Sequence, residues 1–349
     1  MEAAVTEGPA AGPRFVLGVD SGGSGLRVAL AGTAALGAAA EPGRVVASDE
    51  PVPTDGGGID AGRLVSRLLP IARELLAEAG GSDVAAVCVG AAGMATLGGR
   101  LRAELPGALA AGLGVRRTVL AADVVTGYVG ALGGRPGAVV AAGTGLIALG
   151  LDGHRWRRAD GWGHLLGDCG GGSWIGRAGL TAALRAHDGR AGGSAALLAR
   201  AEAVFGPATG LPGLVYPRSD RPAWLASFAP EVARCAAAEP ADQVATAILR
   251  EAAGEIAISA AAVCPPTAEP RIALTGGLLR LGEPLLRPLR EELAARLPEA
   301  ALVPAAGDPL RGALTLAARA AVGELGLPEE PGLLVLHDTP AHDGRVAAR

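Results

Sequence analysis

The chain contains no lysine, and all 31 of its basic side chains are arginines. This absence excludes two common ways of binding a nucleotide. The Walker P-loop requires a lysine that contacts the β- and γ-phosphates, and protein kinases of the usual type require a strand lysine. Any nucleotide site in this chain must therefore hold phosphates with backbone N–H groups, arginine or a metal ion.

The chain also has few cysteines and few aromatic residues, and its net charge is small. Aromatic residues make up 3% of the chain, so alanine, valine and leucine must fill the core that a content of 50% apolar residues predicts. The four cysteines, Cys88, Cys169, Cys235 and Cys264, show no zinc-ligand spacing, which favours reduced thiols in a cytoplasmic protein. A net charge of −4 predicts no nucleic-acid partner.

Long apolar runs that could cross a membrane are missing as well. The nearest approach, residues 136–151, is uncharged but shorter than the roughly 20 residues that a spanning helix needs. Residues 1–13 lack the basic start and apolar stretch of a secretory signal. The sequence therefore predicts a soluble chain without a membrane partner, and it predicts flexible tails at residues 1–13 and 328–349.

What the sequence does contain is a repeated pattern of apolar strand, glycine turn and apolar strand. The first copy spans residues 15–30, and the second copy spans residues 138–151, about 120 positions further on. An internal duplication of this kind predicts two related α/β lobes, each offering a phosphate loop. The stretch 133–137, rich in glycine and proline, is the predicted boundary between them.

Apolar periodicity predicts the remaining elements. Helices are expected at residues 62–79, 124–132, 180–186, 194–205, 241–262, 284–296 and 308–325. Strands are expected at residues 84–90, 118–122 and 271–274. Residues 161–176 are interpreted as a glycine-rich loop, and the basic group Arg155, Arg157 and Arg158 is interpreted as a solvated hairpin loop.

The turn after the first strand has the composition of a phosphate loop. Gly22, Gly23 and Ser24 offer backbone N–H groups without bulky side chains, and Ser24 adds a hydroxyl donor. Asp20, at the end of the strand, is a candidate to hold Mg²⁺ through water. An ordinary glycine-rich hairpin turn is the alternative that these residues leave open.

Two further glycine turns repeat this chemistry. Thr144 and Gly145 lie in the turn of the second copy and are candidates for a second phosphate contact. Gly276 and Gly277 follow a predicted strand and are candidates for a contact with adenine or ribose. Either turn can also be a simple connection, but two glycine turns in equivalent positions favour the phosphate interpretation.

Asp123 stands where a predicted strand ends and a helix begins. Ligand chemistry in α/β sheets collects at the carboxyl ends of strands. A carboxylate there can accept a proton from a substrate hydroxyl as that hydroxyl attacks a phosphoryl group. Asp is also favoured as a helix N-cap, and the two roles can coexist.

The loop after the second copy combines an aromatic ring with a carboxylate. Trp162 offers a flat apolar face between Gly161 and Gly163, and Asp168 can accept hydrogen bonds from vicinal hydroxyl groups, which is a common way to hold a sugar. A core tryptophan and a turn or capping aspartate are the alternatives. His164 is interpreted as structural.

The order of these motifs resembles that of the N-acetylglucosamine kinase and BadF/BadG/BcrA/BcrD-type ATPase family, within the actin-like ATPase and sugar-kinase superfamily. The resemblance covers roughly residues 15–325 and is most specific at 162–175. It implies two ribonuclease-H-like lobes with an interdomain nucleotide cleft. The expected lobes are residues 14–133, joined by a returning helix at 308–326, and residues 134–307.

The same resemblance assigns roles to the motif residues. Asp123 corresponds to the catalytic base, and the other matching positions are expected to contact ATP with Mg²⁺ or the sugar. The positions expected to contact ATP or Mg²⁺ are Asp20, Gly22, Gly23, Ser24, Thr144, Gly145, Gly276 and Gly277. The positions expected to contact sugar are Gly161, Trp162, Gly163 and Asp168, with Asp55 in place of a family asparagine. The chain departs from the family pattern at Leu146, Ile147 and Cys169.

These observations favour an ATP-dependent phosphotransferase acting on an amino sugar, similar to N-acetylglucosamine kinase. One alternative is an ATPase that activates a partner enzyme, but the four cysteines do not resemble the cluster ligands of such activators. A second alternative is a sugar or nucleotide sensor without kinase activity, which the presence of Asp20 and Asp123 disfavours. A homodimer stays open.

Overall fold

The computed structural model describes residues 15–22, 25–32, 42–50, 52–55, 58–94 and 98–339. The chain divides into two compact units. The first unit consists of Met1–Gly134 with Ala306–Arg349, and the second unit consists of Arg135–Ala305. Each unit contains its own mixed sheet.

The described chain contains both strands and helices, in runs of different length. The strands are β1 (Phe15–Gly22), β2 (Gly25–Gly32), β3 (Val45–Ser48), β4 (Thr54–Asp55), β5 (Gly58–Ile59), β6 (Val84–Ala91), β7 (Arg117–Ala122), β8 (Gly137–Ala142), β9 (Leu146–Leu151), β10 (Trp156–Asp160), β11 (Arg271–Thr275), β12 (Ala301–Val303) and β13 (Leu334–Asp338). The helices are α1 (Ala61–Glu78), α2 (Gly99–Leu113), α3 (Asp123–Leu132), α4 (Gly172–His187), α5 (Ala195–Phe205), α6 (Leu211–Val215), α7 (Arg221–Ala226), α8 (Ala229–Ala236), α9 (Gln243–Val263), α10 (Glu283–Arg296) and α11 (Pro309–Val322).

The two larger sheets share a pattern of five strands, to which the first sheet adds β13. The first has the order β13-β7-β6-β1-β2-β3, and the second has the order β10-β9-β8-β11-β12. In each, a glycine-turned antiparallel hairpin (β1–β2 or β8–β9) is extended by a third antiparallel strand on one side and by two parallel strands on the other. The predicted duplication and the ribonuclease-H-like α/β fold class are confirmed.

Glycines within the core of the first unit let backbones approach closely. A Cβ added to Gly18 on β1 would meet Leu314 of α11 at 2.7 Å. A Cβ on Gly312 would overlap the carbonyl oxygen of Thr126, and one on Gly130 would overlap that of Asp308. Helices α3 and α11 therefore touch through glycines, which positions the start of each helix at an edge of the sheet.

The core of the second unit surrounds α9 and the hairpin β8–β9. Ala253, Ile256 and Ala257 of α9 are fully buried, together with Val140 of β8 and Phe228 between α7 and α8. Most of these side chains are aliphatic, as the scarcity of aromatic residues predicted. These aliphatic side chains pack against the sheet, and the loops leave the sheet at its carboxyl edge.

Three interpretations from the sequence need correction. Residues 328–339 are not a loose tail, because β13 pairs antiparallel with β7 and Leu334 is fully buried. The glycine-rich loop at 161–176 ends early, because α4 begins at Gly172. Arg157 and Arg158 lie in strand β10 rather than in a solvated loop.

The other predicted helices and strands are present, most with boundaries shifted by a few residues, and the helix expected at residues 180–186 begins eight residues earlier, at Gly172. Within the described ranges, no helix is both long and apolar enough to cross a membrane. The predicted tail at residues 1–13 lies outside the described residues.

Candidate active site

The register of the first sheet brings the ends of three parallel strands to one edge. Asp20 on β1 pairs with Gly90 on β6, and Gly90 pairs with Ala121 on β7. Because neighbouring strands lie about 4.8 Å apart, Asp20 and Ala121 are about 10 Å apart across this edge. Asp123 begins α3 directly after β7. The predicted metal residue and the predicted base therefore share the carboxyl edge of one sheet.

Arg27 binds the carboxylate that the sequence suggested for Mg²⁺. Its Nε and Nη2 atoms donate to Oδ2 of Asp20 at 3.0 and 2.6 Å, and its Nη1 atom donates to Oδ2 of Asp308 at 2.7 Å. Hairpin pairing places Arg27 directly opposite Asp20. One guanidinium group thus bridges two carboxylates at this edge, and it neutralises the otherwise largely buried Asp20.

Asp308 also caps a helix. Its Oδ1 atom accepts a hydrogen bond of 2.9 Å from the backbone N–H of Arg311, in the first turn of α11. Partial burial works against the charged form, but this N–H and the guanidinium of Arg27 outweigh it and hold the pKa of Asp308 below its usual range. Asp308 is therefore anionic and fixed in position.

Ser21 and Gly22 are the residues of the first turn that follow Asp20 in the described chain. Ser21 is fully buried, and its hydroxyl has no hydrogen-bond partner among the described residues. A Cβ added to Gly22 would meet no atom within 4 Å, so the space beside this residue is open among the described residues. The predicted phosphate contacts Gly23 and Ser24 lie outside the described residues.

Asp123 is the first residue of α3 rather than its N-cap, which is Ala122. The backbone N–H of Val124 donates to Oδ1 of Asp123 at 2.8 Å. The backbone N–H of Ala122 donates to the carbonyl of Leu333 at 2.8 Å, which anchors the strand end from the other side. A carboxylate in the first turn of a helix is stabilised by the helix dipole, so Asp123 is held as an acceptor at the sheet edge.

The second sheet repeats this arrangement with three loops at one edge. Thr275, Ala141, Ile147 and Asp160 form one row across strands β11, β8, β9 and β10. The loops that leave the sheet beside this row contain most of the residues that the sequence selected. These loops are residues 143–145, 161–168 and 276–277.

The second glycine turn is fixed to the start of α4. Gly143 donates to the carbonyl of Gly145 at 2.9 Å, which closes the turn. The backbone N–H groups of Gly172 and Ser173 donate to the carbonyls of Gly143 and Thr144 at 2.9 and 2.8 Å. The side chain of Thr144 is exposed, so this fixed turn leaves one hydroxyl group accessible.

Asp168 lies directly against this turn. A Cβ added to Gly145 would overlap Oδ2 of Asp168, and Oδ1 of Asp168 accepts a hydrogen bond of 3.1 Å from the backbone N–H of Gly163. Burial raises the pKa of Asp168 above its usual value, the N–H of Gly163 opposes the rise, and the nearby charge of Asp160 adds to it. The candidate sugar acceptor therefore touches the candidate phosphate turn.

Trp162 is not a core residue, because 62% of it is exposed. The guanidinium of Arg158 lies over its ring, 4.5 Å from the centroid. Arg158 also donates to the carbonyls of Asp160 and Gly161, at 3.0 and 2.6 Å. A cation over an aromatic face is attractive, and these bonds hold Trp162 on the surface, where its ring is accessible.

The glycines after β11 have a structural explanation of their own. Gly276 adopts a φ of 100°, and a Cβ there would overlap the carbonyl oxygen of Ala142. Only glycine fits this close approach between β11 and β8. Gly277 begins a short 3₁₀ turn that leads towards α10. A nucleotide contact by either residue stays a prediction.

Leu146 and Cys169, two positions at which the chain departs from the family pattern, differ in how deeply they are buried. Leu146 is 2% exposed and belongs to the core, so it offers a ligand nothing. Cys169 is half-buried, and its backbone N–H donates to Oδ2 of Asp160 at 2.8 Å. Asp55 lies in the two-stranded β4–β5 pair, outside both larger sheets.

Sequence reasoning missed the charged residues that hold the candidate groups in place. Arg27 carried a usable signal, since it lies opposite Asp20 once the hairpin is registered on its turn. Asp160 and Arg158 carried no such signal, whereas the position of Asp308 before Pro309 is typical of a helix N-cap. The described residues contain no group of three or more histidine, cysteine or acidic side chains that could hold a metal ion unaided.

Comparisons with known proteins agree with this architecture. A sequence model of the BadF/BadG/BcrA/BcrD ATPase family matches residues 17–317. No curated protein gives a significant match to the sequence. Among solved structures, a putative N-acetylglucosamine kinase from Chromobacterium violaceum is 28% identical with a TM-score of 0.64, covering 86% of this chain and 98% of that one.

Two more distant structures share the fold. A putative N-acetylglucosamine kinase from Porphyromonas gingivalis has a TM-score of 0.63 at 15% identity and covers 88% of this chain and 98% of its own. A ROK family glucokinase from Streptomyces griseus, solved with glucose and AMPPNP, has a TM-score of 0.51 at 20% identity and covers 88% of this chain and 100% of its own.

Proposed function

The chain belongs to the BadF/BadG/BcrA/BcrD ATPase family, and we propose from that premise that it transfers a phosphoryl group from ATP to an amino sugar such as N-acetylglucosamine. The observation that carries this proposal is the contact between Asp168 and the turn at Gly145. A carboxylate suited to sugar hydroxyls lies against a glycine turn suited to phosphate. A kinase needs these two kinds of contact side by side.

The nucleotide is held without lysine in this proposal. Backbone N–H groups and the Thr144 hydroxyl are the donors, and the open space beside Gly22 admits a phosphate group. Mg²⁺ is commonly bound by one or two carboxylates together with substrate phosphates. Asp20 fits such an ion only as a partner of the nucleotide, because Arg27 already occupies its Oδ2 atom. When bound, the magnesium nucleotide supplies the phosphoryl group and the metal offsets its charge.

Asp123 is the proposed base. It accepts the proton of the attacking sugar hydroxyl, and its position at the carboxyl end of β7 supports this role. The backbone N–H of Val124 binds Oδ1, which orients the carboxylate. Because phosphoryl transfer depends mostly on positioning and charge, the fixed orientation of Asp123 is as important as its basicity.

Trp162 and Asp168 are the proposed sugar contacts. The exposed ring face of Trp162 stacks on the sugar, and Asp168 accepts hydrogen bonds from its hydroxyls. The choice of an amino sugar is supported by the likeness to the Chromobacterium violaceum protein, whose name describes it as a putative N-acetylglucosamine kinase. The motif of Gly161, Trp162, Gly163 and Asp168 supports the same choice.

The test is ADP release measured with a panel of acceptors. The panel contains N-acetylglucosamine, glucosamine, N-acetylmuramic acid, N-acetylmannosamine, glucose and a control without sugar. We expect ADP release that depends on an amino sugar, with a phosphorylated product detected by mass spectrometry. Preference for glucose would keep the kinase and overturn the amino sugar. Equal release in every sample would favour an ATPase that serves a partner, and binding without any release would favour a sensor.

A further inference from the structure

Asp160 is one of two residues other than glycine with positive φ in the described chain, and Asp168 is the other. Their φ angles are 58° and 55°. This left-handed conformation is unfavourable for most side chains but is tolerated by aspartate. Asp160 ends β10 and Asp168 ends the loop that contains Trp162, so the two unusual residues bracket the candidate sugar loop.

The carboxylate of Asp160 closes this loop. Its Oδ1 atom accepts a hydrogen bond of 2.6 Å from the backbone N–H of Asp168, and its Oδ2 atom accepts one of 2.8 Å from Cys169. A Cβ added to Gly167 would overlap Oδ1 of Asp160, so the chain makes room for this carboxylate. Both oxygens are thus committed to the backbone of the residues that carry the sugar acceptor.

Fixing the backbone of Asp168 also fixes the direction of its side chain. That side chain has little freedom, because it fits between the N–H of Gly163 and the turn at Gly145. A backbone shift at Asp168 would move its carboxylate either into the turn at Gly145 or away from the N–H of Gly163. Misplacement of a substrate-positioning group by about 1 Å can cost on the order of 100-fold in rate.

We propose that Asp160 is a positioning residue for sugar binding, which acts by holding the backbone of Asp168 and Cys169. The inference rests on the proposed function, since it assumes that Asp168 contacts the acceptor. Both carboxylate oxygens of Asp160 bind the loop backbone. In this proposal its main effect falls on the sugar, through Asp168, and a smaller effect reaches the nucleotide through the contact between Asp168 and the turn at Gly145.

The test compares Asp160→Gly with Asp160→Asn. Glycine tolerates the positive φ but removes both acceptors, whereas asparagine keeps the size, the backbone tolerance and one acceptor oxygen. We expect Asp160→Gly to raise KM for the sugar about 10- to 100-fold, while KM for ATP rises by a smaller factor, because Asp168 also touches the turn at Gly145. Asp160→Asn should give a smaller rise in the same constant. If Asp160→Gly fails to fold, Asp160→Asn alone decides between these outcomes.

Asp152→Gly is the matched control. Asp152 also accepts two backbone N–H bonds, from His154 at 2.9 Å and Arg155 at 3.0 Å, but in the hairpin turn at the opposite end of β10. We expect both Michaelis constants of this variant to equal those of the unmodified protein. An equal rise in KM for the sugar in both glycine variants would mean a general loss of loop order and would overturn the inference.

A double-mutant cycle shows whether Asp160 acts through Asp168. In an Asp168→Asn background, Asp160→Gly should have little further effect on KM for the sugar. Fully multiplicative effects would overturn the inference while leaving the proposed function intact. An unmodified protein that phosphorylates no sugar would overturn the proposed function, and the positioning role with it.

Discussion

Asp168 and Gly145 lie so close together that the carboxylate of one requires the absence of a side chain on the other. The contact joins two loops that leave the second sheet at the same edge, one after β8 and one after β10. Neither residue reveals it in the sequence, where 23 positions separate them. It makes the glycine turn and the acidic loop one physical unit.

Gly145→Ala should therefore damage sugar binding. The added Cβ would overlap Oδ2 of Asp168, so the carboxylate must rotate away. We expect kcat/KM for the sugar to fall about 10- to 100-fold, as for other misplaced positioning groups. Steady-state kinetics measure this. The control is Gly254→Ala in α9, where a Cβ meets no atom within 4 Å; it should leave activity unchanged, and equal losses in both variants would contradict the explanation.

Asp123→Asn should abolish most of the chemistry without unfolding the protein. The amide oxygen can still accept the N–H of Val124, but it cannot take up a proton at neutral pH. We expect kcat to fall about 10²- to 10⁴-fold, the usual size of a general-base effect, while ATP binding persists. Single-turnover kinetics and nucleotide titration measure the two quantities. Asp60→Asn, at the N-cap of α1, is the control and should retain full activity. Retained turnover in Asp123→Asn would rule out the role as base.

Arg27→Ala should destabilise the first unit and weaken ATP binding. Asp20 is 15% exposed, and removing Arg27 deprives this carboxylate of the ion pair with the guanidinium group. Loss of a partner from a buried polar group costs about 1–3 kcal/mol, and more for a charged group. Chemical denaturation and KM for ATP are the measurements.

Arg44→Ala is the matched control for Arg27. Arg44 also pairs with two carboxylates, those of Glu74 and Glu78, but these groups are roughly half exposed. Exposed ion pairs contribute little to stability, so we expect a smaller loss of stability and no change in KM for ATP. Equal effects of the two substitutions would mean that the Arg27 bridge has no special importance.

Asp168→Asn should weaken sugar binding without lowering the stability of the protein at pH 7. The pKa of Asp168 is raised in the fold, first by burial, so its contribution to stability is greatest below the unfolded pKa of about 3.9 and is lost as pH rises through the folded pKa. We therefore expect the variant to be at least as stable as the unmodified protein at pH 7, with the difference vanishing in acid. KM for the sugar should rise about 10- to 100-fold, since a hydrogen bond to a charged group contributes about 1.5–3 kcal/mol.

Asp308→Asn should change the stability at pH 7 in the opposite direction. The pKa of Asp308 is lowered in the fold, so its contribution is present above the unfolded pKa and is lost as pH falls through the folded pKa. This variant should be less stable than the unmodified protein at pH 7, and the gap should close in acid. Thermal melts of both variants from pH 3 to pH 8 test the pair, and gaps of the same sign would contradict it.

The repeated hairpins could be predicted from sequence because local rules determine them. Apolar runs of strand length surround glycine turns at residues 21–25 and 143–145, and the turn itself sets the register. Asp123 was found for a similar reason, since it directly follows a buried strand. Local signals of this kind identified most of the residues at the two sheet edges.

The contacts that fix these residues could not be predicted, because they depend on conformation and distant pairing. Arg27 reaches Asp308 across 281 positions of sequence. Asp160 accepts the N–H of Asp168 in a loop where both residues adopt positive φ, which composition does not reveal. Strand β13 was missed since proline and glycine precede it and polar residues follow its short apolar run.

The pairing of β13 with β7 has a practical consequence for anyone who engineers this protein. Removing residues from 329 onward would expose the hydrogen-bonding edge of β7, and a bare edge invites pairing with another chain and aggregation. The same cut would remove the carbonyl of Leu333, which receives the N–H of the residue just before Asp123. Shortened versions should therefore end beyond residue 339, and affinity tags attached there need a linker that leaves this strand paired.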